Sequence, residues 1–316
     1  MRVYLVQRLA AMALTLLGVS LLVFGMVRLI PGTVVEQLLG QAAIASPEVL
    51  AAFRRFFGLD RPLHVQYVEW LTSVLRGEFG VSWLSGRPVL SLFLERLPVS
   101  AELAVLAVAW SLLIGIPLGT ASAMWRGGVR DGAIRVLATL GLSLPAFWQG
   151  TVLILLFSIY LGWMPSLQWV PFTRSPAANL VIMALPALTL GTATAAMITR
   201  MSRSTMLDVL GREYVRTARA KGLPERRVTF HHALRNALIP VVTVAGVQLG
   251  YIVGGILVVE DVFTLPGVGR LLLDAIFQRD YPVVQGVILL LAAGFMALNL
   301  VVDLLYAVLD PRLRRG

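Results

Sequence analysis

The sequence predicts an all-α polytopic membrane protein with six transmembrane helices, and three observations support that fold class. Hydrophobic residues make up 58% of the 316 residues and charged residues only 14%, whereas soluble domains carry about a quarter charged residues. Six stretches are long and apolar enough to cross a bilayer, which takes about twenty residues. The chain has no cysteine, which excludes disulfides and cysteine-based metal or redox sites.

The six predicted spans follow one another with short connections, except for one long loop after the first span and one after the fourth. A secretory signal peptide is the alternative for the first span. That stretch is long for a signal core, and no small-x-small cleavage site follows it, so we expect a retained helix. The predicted spans are residues 9–27, 103–125, 136–161, 180–199, 237–259 and 283–308.

The basic residues predict the orientation of these spans. The formal net charge is +10, with a single lysine among 27 basic residues. Arginines are concentrated before the first span, between the second and third, between the fourth and fifth, and in the tail. Cytoplasmic loops are enriched in Arg and Lys, so we expect both termini in the cytoplasm. The charge is therefore an orientation signal rather than a nucleic-acid-binding surface.

The long loop at residues 31–98 is predicted to lie outside and to contain two helices. Ser46-Pro47-Glu48 has the composition of a helix start, and Gly58 can end that helix. A second helix is predicted from Pro62 to Arg76, with Gly77 past its end. This region is either a small helical cap or a docking surface for a soluble partner.

The segment at residues 201–239 is unusually long for a connection between packed helices, and its sequence favours a bent pair of helices. Residues 207–220 are predicted to form one helix, which Gly222 ends in a left-handed conformation. Pro224 and Glu225 then begin a second helix. The alternative is a plain basic loop held near anionic lipid headgroups, which does not account for the Gly-x-Pro spacing.

The stretch Arg212-Glu213-Tyr214-Val215-Arg216-Thr217-Ala218-Arg219-Ala220-Lys221-Gly222-Leu223 resembles the cytoplasmic signature loop of bacterial ABC importer permeases. It is most similar to the branch that carries dipeptides, oligopeptides, nickel or glutathione. Arg216 and Thr217 replace the glutamate and first alanine of the common signature. Further matching fragments occur along nearly the whole chain: Arg28-Leu29-Ile30-Pro31-Gly32, Gly58-Leu59-Asp60-Arg61-Pro62, Glu95-Arg96-Leu97-Pro98, Ser143-Leu144-Pro145-Ala146-Phe147, Val259-Glu260, Pro266-Gly267-Val268-Gly269-Arg270, Arg279-Asp280-Tyr281-Pro282, Asn299-Leu300-Val301-Val302-Asp303 and Leu309-Asp310-Pro311-Arg312.

This resemblance implies the ABC type I importer permease fold and a mechanical role for the bent segment, which would insert into a groove on a separate ATPase. The implied partners are a second homologous permease, two cytoplasmic ATP-binding subunits and an extracytoplasmic solute-binding protein. The expected organisation is a first transmembrane helix at 1–30, an external region at 31–98, a five-helix core at 99–308 with a coupling loop at 201–238, and a cytoplasmic tail at 309–316. The residues that the resemblance implies for ATPase coupling are Thr217, Ala218, Lys221, Gly222, Leu223, Glu225 and Arg226.

The chain has no sequence for binding ATP phosphates, because its single lysine, Lys221, is not part of a Gly-x-x-x-x-Gly-Lys-Ser/Thr loop. ATP and magnesium are therefore expected in the partner ATPase, and this chain is expected to bind no cofactor or metal. We find no catalytic constellation and expect a transport subunit rather than an enzyme.

Two sets of residues are candidates for the pathway or for subunit packing. Gly246, Gly250 and Gly254 recur every four residues around Gln248, and such a face allows close approach of another helix, within this subunit or from a second permease. Asn299 and Asp303 share a helix face near the end of the last span, where an interhelical hydrogen bond is the simpler role. Pro145 and Pro186 are expected to bend the third and fourth spans, as static kinks or as hinges.

Two other functions are compatible with a polytopic helical protein. An ion-coupled carrier or channel would act without an ATPase, but it favours charges or broken helices near the membrane midplane, and the spans offer little of that kind. A membrane scaffold would recruit a cytoplasmic protein through the basic segment without transport. The sequence leaves the substrate open among dipeptides, oligopeptides, glutathione, nickel chelates and sugars.

Overall fold

The computed structural model of the chain describes residues 2–29, 60–163 and 168–309. Within these ranges the regular structure is helical, apart from one isolated antiparallel bridge between Val81 and Pro88. The predicted all-α class is therefore confirmed for the described residues. The predicted first external helix, at residues 46–58, lies outside them.

The described helices are numbered in chain order. Short π-helical turns at Leu156–Tyr160 and Val228–Leu234 extend α5 and join α8 to α9. The helices are α1 Arg2–Leu29, α2 Leu63–Leu75, α3 Val89–Met124, α4 Val129–Ser143, α5 Ala146–Leu155, α6 Pro176–Leu210, α7 Glu213–Ala220, α8 Glu225–Arg227, α9 Arg235–Val262, α10 Val268–Phe277 and α11 Tyr281–Leu309.

Four of the described helices, α1, α3, α6 and α11, are long and apolar enough to cross a membrane, and the bent pair of α4 and α5 raises the number to five. The predicted span at 237–259 falls within α9. Four side chains of α9, at positions 247, 249, 251 and 253, lie outside the described part of the chain. The predicted total of six spans therefore stays a prediction.

The predicted third span is not one rod. α4 and the helix that begins at Ala146 meet at 108°, because Leu144 is extended with a ψ of 128° and Pro145 follows it. A residue before proline disfavours the helical conformation. Gln149 closes the bend by donating from Nε2 to the carbonyl oxygen of Leu144 at 2.7 Å. The predicted bend at Pro145 is confirmed, whereas α6 continues through Pro186 to Leu210.

The described residues divide into two compact units, one formed by those up to Arg96 with Leu271–Leu300 and the other by those of Leu97–Arg270 with the described residues after Leu300. In the first unit, α2 packs on α1. The Tyr67 hydroxyl lies 2.8 Å from the Ser20 hydroxyl, and Arg28 donates to the Gln66 side chain at 2.8 Å. The predicted helix from Pro62 to Arg76 corresponds to α2, and Gly77 beyond it has a φ of +86°.

The first unit also contains a buried carboxylate, that of Asp280, immediately before α11. Its Oδ2 accepts from the Ser82 hydroxyl at 2.5 Å, and its Oδ1 accepts from the Trp83 backbone N–H at 3.2 Å. The Trp83 ring also contacts the Tyr281 ring edge-to-face. These contacts hold the chain before α3 against the start of α11.

The core of the second unit is formed by buried apolar residues of α3, α6 and α9. α3 approaches α6 closely through two glycines, because a Cβ on Gly115 would lie 2.7 Å from Ile198 and one on Gly119 2.5 Å from the Thr199 carbonyl oxygen. The Ser111 hydroxyl crosses the same contact and lies 2.9 Å from the Gly191 carbonyl oxygen. Small residues at this spacing let helix backbones approach in a membrane.

Gly119 provides a test of this helix contact. Replacing Gly119 with valine forces α3 and α6 apart, because the new Cβ meets backbone, and overpacking of this kind costs about 1–3 kcal/mol of unfolding free energy. We expect a lower melting temperature for Gly119→Val than for wild type in detergent-solubilised protein. Gly132→Val in α4 is the matched control, because a Cβ at Gly132 would extend into open space, and equal melting temperatures of the two variants would contradict the close contact.

Candidate functional site

The candidate site is the segment between α6 and α9, which we call the elbow and define as residues 211–234. The predicted helix at 207–220 is wrong in its start, because α6 continues to Leu210 and the chain turns at Gly211 and Arg212. Arg212 is extended, with a ψ of 151°, and α7 then begins at Glu213. Glycine lowers helix propensity at this position, which helps α6 to end there.

Gly222 ends α7 as predicted, with a φ of +75°. The Leu223 N–H reaches back to the Ala218 carbonyl oxygen at 3.4 Å, and the Gly222 N–H donates to the Arg219 carbonyl oxygen at 2.9 Å. This hydrogen-bond pattern is a Schellman-type end, which satisfies the last carbonyls of a helix. Pro224 then precedes α8 with a ψ of 140°, so the elbow turns sharply between two helical pieces.

A paired arginine and glutamate bridge this turn. The Arg219 guanidinium donates to both carboxylate oxygens of Glu225, at 2.6 and 3.1 Å. The hydrogen bond from Arg219 holds the pKa of the Glu225 carboxyl below its ordinary value and raises the pKa of Arg219. Both side chains are about half exposed, so the pair adds at most about 1 kcal/mol to stability. Its contribution is lost as the pH falls through the lowered pKa of Glu225.

The inner face of the elbow is apolar and packs on the core helices. Val215 and Ala218 of α7 are buried with Met206 and Val209 of α6 and with Ala123 of α3. The π-helical turn and the start of α9 complete this cluster, and Leu223 packs at its edge. The Tyr214 hydroxyl also accepts from the Asn236 side chain at 3.0 Å. Because α7 is anchored on both of its neighbours, the elbow is a braced projection.

The outer face of the elbow carries most of the residues predicted for ATPase coupling. Thr217, Lys221 and Gly222 are exposed, and so are Glu225 and Arg226. Leu223 is partly buried and Ala218 is buried. Ala218 therefore faces the chain's own core, and its side chain holds α7 in place.

A buried ion pair lies near the C-terminal end of α6, and its Arg203 comes eight residues before the first residue of the elbow. The Asp131 carboxylate accepts two hydrogen bonds from the Arg203 guanidinium, both at 2.8 Å. It also accepts from the Ser122 hydroxyl at 2.6 Å and from the Gly127 N–H at 3.0 Å. Asp131 is 2% exposed, and its full set of donors offsets the loss of water. The pair fixes the turn between α3 and α4 to α6.

A cavity of about 430 Å³ lies among α5, α6 and α9. Its described lining is uncharged. Gln149 and Gln248 supply amide groups, and Thr189 and Thr194 supply hydroxyls, within otherwise apolar walls. Gln248, predicted as a pathway candidate, therefore lies at an open volume.

The remaining predicted candidates are dispersed. Gly246 and Gly250 are partly buried and Gly254 is exposed on α9, and a Cβ at Gly254 would meet no atom of the described residues within 4 Å beyond its own helix turn. Asn299 and Asp303 are partly buried on α11. These residues are not brought together into one site with the elbow.

Several structurally important residues were not selected from the sequence. Gly115 and Gly119 show the same small-x-x-x-small spacing as the α9 glycines, and that spacing could have identified them. Asp131 is a lone acid among arginines of a short basic loop, which is a signal for an ion pair. Nothing local in the sequence, however, identifies Arg203, 72 residues away, as its partner.

Comparison with known families gives two matches, which together cover most of the chain. Residues 115–315 match the family described as binding-protein-dependent transport system inner membrane component. Residues 1–104 match the N-terminal family of the same membrane components. Permeases of such systems work with an ATPase and a substrate-binding protein.

Similar proteins over almost the full length are named glutathione transport system permease protein GsiC. Those of Salmonella typhi and Pectobacterium atrosepticum are 43% identical over 314 residues, covering 98% of each chain. That of Escherichia coli strain K12 is 41% identical with the same coverage. This chain therefore belongs to the family of binding-protein-dependent transport system inner membrane components, as a bacterial membrane permease subunit of an ABC importer and not an enzyme.

Proposed function

We propose that this permease imports glutathione or short peptides of similar size, in an assembly with one second homologous permease, two ATP-binding subunits and one extracytoplasmic binding protein. The substrate class is supported by relatives 41–43% identical over 98% of the chain that are named as glutathione permeases. The observation that carries the mechanism is the elbow, an exposed pair of helical pieces braced on α6 and α9.

The elbow lies on the cytoplasmic side in this proposal, and both termini do too. The support is the distribution of basic residues, because residues 126–135, residues 200–235 and the two chain ends carry 16 of the 26 arginines. The predicted outer loops carry few arginines that are not matched by acidic residues in the same loop. The ATPase subunits therefore meet the elbow from the cytoplasm.

The coupling surface consists of exposed side chains on the outer face of the elbow. Thr217, Lys221, Glu225 and Arg226 provide polar and charged contacts, and the exposed arginines of α7 suit an acidic groove on the ATPase. Leu223 and Ala218 act from the inner side, since they pack in the cluster below the elbow. Movement of a groove that grips this surface is passed directly to α6 and α9, which begin or end at the elbow.

ATP and magnesium bind to the partner ATPase in this proposal. Lys221 is the single lysine of the chain and is followed by Gly222 outside any phosphate-binding loop. The chain's own contribution is mechanical. It supplies the translocation pathway and the surface through which ATP hydrolysis in the partner moves the membrane helices.

The pathway runs along the uncharged cavity of α5, α6 and α9. Its volume of about 430 Å³ is in the range of small-ligand sites. Uncharged amide and hydroxyl groups in an apolar wall bind a peptide only weakly, so the peptide is readily released. In this arrangement selectivity is set by the binding protein.

The second permease contacts the face of α9 that the chain itself leaves open. Ile239 and Val242 are 68% and 48% exposed, and Gly254 is exposed on the same helix. The recurring glycines Gly246 and Gly250 belong to that helix and suit close helix approach. The pathway then lies between two related subunits.

Gly222 tests the coupling role. In Gly222→Val the new Cβ would meet no described atom within 4 Å, but a φ of +75° costs a β-branched residue about 1–2 kcal/mol or more. We expect at least a roughly fivefold loss of ATPase co-purification and of ATP-driven uptake, the ratio that corresponds to about 1 kcal/mol.

Gly211→Ala is the control for Gly222→Val, because Gly211 lies in the same elbow with an ordinary φ of −81°. It should bind the ATPase as wild type does. A Gly222→Val protein that still recruits the ATPase and transports normally would contradict the coupling role of the elbow.

Gly254 tests the contact with the second permease. Gly254→Leu adds a side chain where the chain itself has open space, so the isolated subunit should keep its melting temperature. We expect the complex with the second permease to be lost from size-exclusion chromatography in detergent. Gly132→Leu on α4 is the control with equal space, and intact assembly of Gly254→Leu would contradict this interface.

The substrate class is tested by uptake into proteoliposomes that contain the complete transporter. We expect labelled glutathione to accumulate only with ATP and the binding protein, and excess unlabelled short peptide to reduce its uptake. Accumulation driven by an ion gradient without ATP would contradict an ABC mechanism. Normal ATP-driven uptake of a nickel chelate or sugar, without glutathione or peptide uptake, would contradict the substrate class alone.

A further inference from the structure

The end of α9 that lies opposite the elbow contains a fully buried acid, Glu260. Its exposed fraction is 0%, and it precedes the end of the helix at Val262 by two residues. The proposed transport mechanism does not use it. A buried charge in an apolar environment is destabilising unless the surrounding groups hydrogen-bond to it.

Neutral donors from two other elements surround the Glu260 carboxylate. Its Oε2 accepts from the backbone N–H groups of Gly269 at 2.7 Å and Arg270 at 3.1 Å, in the first turn of α10. Its Oε1 accepts from the Ser100 hydroxyl of α3, and Ser100 Oγ in turn accepts from the Val268 N–H at 2.8 Å. The site therefore joins the end of α9, the start of α10 and α3.

Two glycines are required for this arrangement. A Cβ at Gly267 would overlap the Glu260 carboxylate itself. A Cβ at Gly269 would lie 2.6 Å from the Leu257 backbone and 2.9 Å from Glu260 Oε2. The backbone of the Gly267-Val268-Gly269 segment is thus fitted against the carboxylate, and a negative charge at the first turn of α10 also favours that helix.

One helix, α9, runs from the elbow to this carboxylate. α9 starts at Arg235, next to the elbow. Twenty-five helical residues separate Arg235 from Glu260, a distance of about 38 Å at 1.5 Å per residue, which is longer than the hydrocarbon core of a bilayer. The elbow and the Glu260 carboxylate therefore lie at opposite ends of one rod.

We propose that Glu260 is a positioning residue that links binding-protein docking outside to ATP hydrolysis inside. The inference rests on the proposed function for the orientation of α9. By clamping the outer end of α9 to Ser100 and to the first turn of α10, the carboxylate makes these three elements move together. A signal from the docked binding protein then reaches the elbow along α9, and a movement of the elbow reaches the outer side.

Glu260→Gln keeps the shape of the side chain but replaces one of its two accepting oxygens with an NH₂ donor. Toward α10 that donor would face two N–H groups and lose both hydrogen bonds; toward Ser100 it can donate to the hydroxyl, whose own proton then loses its acceptor on residue 260. In both orientations the charge that strengthens these hydrogen bonds is lost. The test uses the complete transporter in proteoliposomes, with ATPase activity measured with and without the loaded binding protein. Transported solute per hydrolysed ATP is measured in the same samples.

We expect Glu260→Gln to retain basal ATPase activity and to lose stimulation by the loaded binding protein by at least roughly fivefold, the lower end of typical couplings between linked sites. Solute transported per ATP should fall with it. Asp261→Asn is the matched control, because Asp261 is the adjacent acid on the same helix and is exposed. Ser100→Ala removes one donor to the Glu260 carboxylate while keeping its charge. We expect it to lower the stimulation by the loaded binding protein and the solute transported per ATP, each by a smaller factor than Glu260→Gln does.

The outcomes separate this inference from the proposed function. A wild-type assembly without ATP-driven uptake contradicts the proposed function itself. A wild-type assembly that transports, with Glu260→Gln and Ser100→Ala both behaving like Asp261→Asn, overturns only the role of Glu260. A parallel fall of basal activity, stimulated activity and assembled complex in both variants reduces Glu260 to a structural residue and also overturns the inference.

Discussion

The cost of burying a charge away from water is the constraint on which this structure depends, because a buried charged group has to find its hydrogen-bond partners within the protein. Three buried carboxylates, those of Asp131, Glu260 and Asp280, satisfy it in the same way. Each accepts from a serine hydroxyl and from at least one backbone N–H group of a neighbouring segment. A charge that is costly to bury thereby becomes a fixed point for a turn of the chain.

Close helix packing is the second condition, and it determines what the elbow can do. The glycines of α3 bring its backbone against α6. Because this contact is closely packed, α6 cannot shift relative to α3 without strain. The apolar cluster below α7 then ties the elbow to α6, to α3 and to the start of α9. A projection on such a base passes a displacement to the core rather than absorbing it in a loop.

The features that sequence reasoning predicted correctly are local. The left-handed Gly222, the start of a helix after Pro224 and the bend at Pro145 each follow from the backbone preferences of one or two residues. The apolar spans follow from composition and length. The end of α6 at Leu210 was missed, because a single glycine such as Gly211 lowers helix propensity but does not by itself specify where a helix ends.

The features that sequence could not supply are pairings across long separations. Ser100 and Glu260 are 160 residues apart, and nothing around either residue specifies the other. Helix contacts are equally hard to assign from sequence. Both α3 and α9 carry glycines at a spacing of four residues, and only the structure shows that α6 packs against the glycines of α3. Spacing alone indicates that a helix can approach, but not which helix does.

The arrangement of the cavity gives the elbow a specific consequence. Two of its walls, α6 and α9, run directly into the elbow, whereas the third wall is formed at the bend between α4 and α5. Gln149 closes that bend by hydrogen bonds to carbonyl oxygens at its own corner. A displacement of the elbow therefore acts on two walls of the cavity directly and on the third only through side-chain packing. Unequal movement of the walls changes the shape of the cavity, which is what a pathway that opens and closes requires.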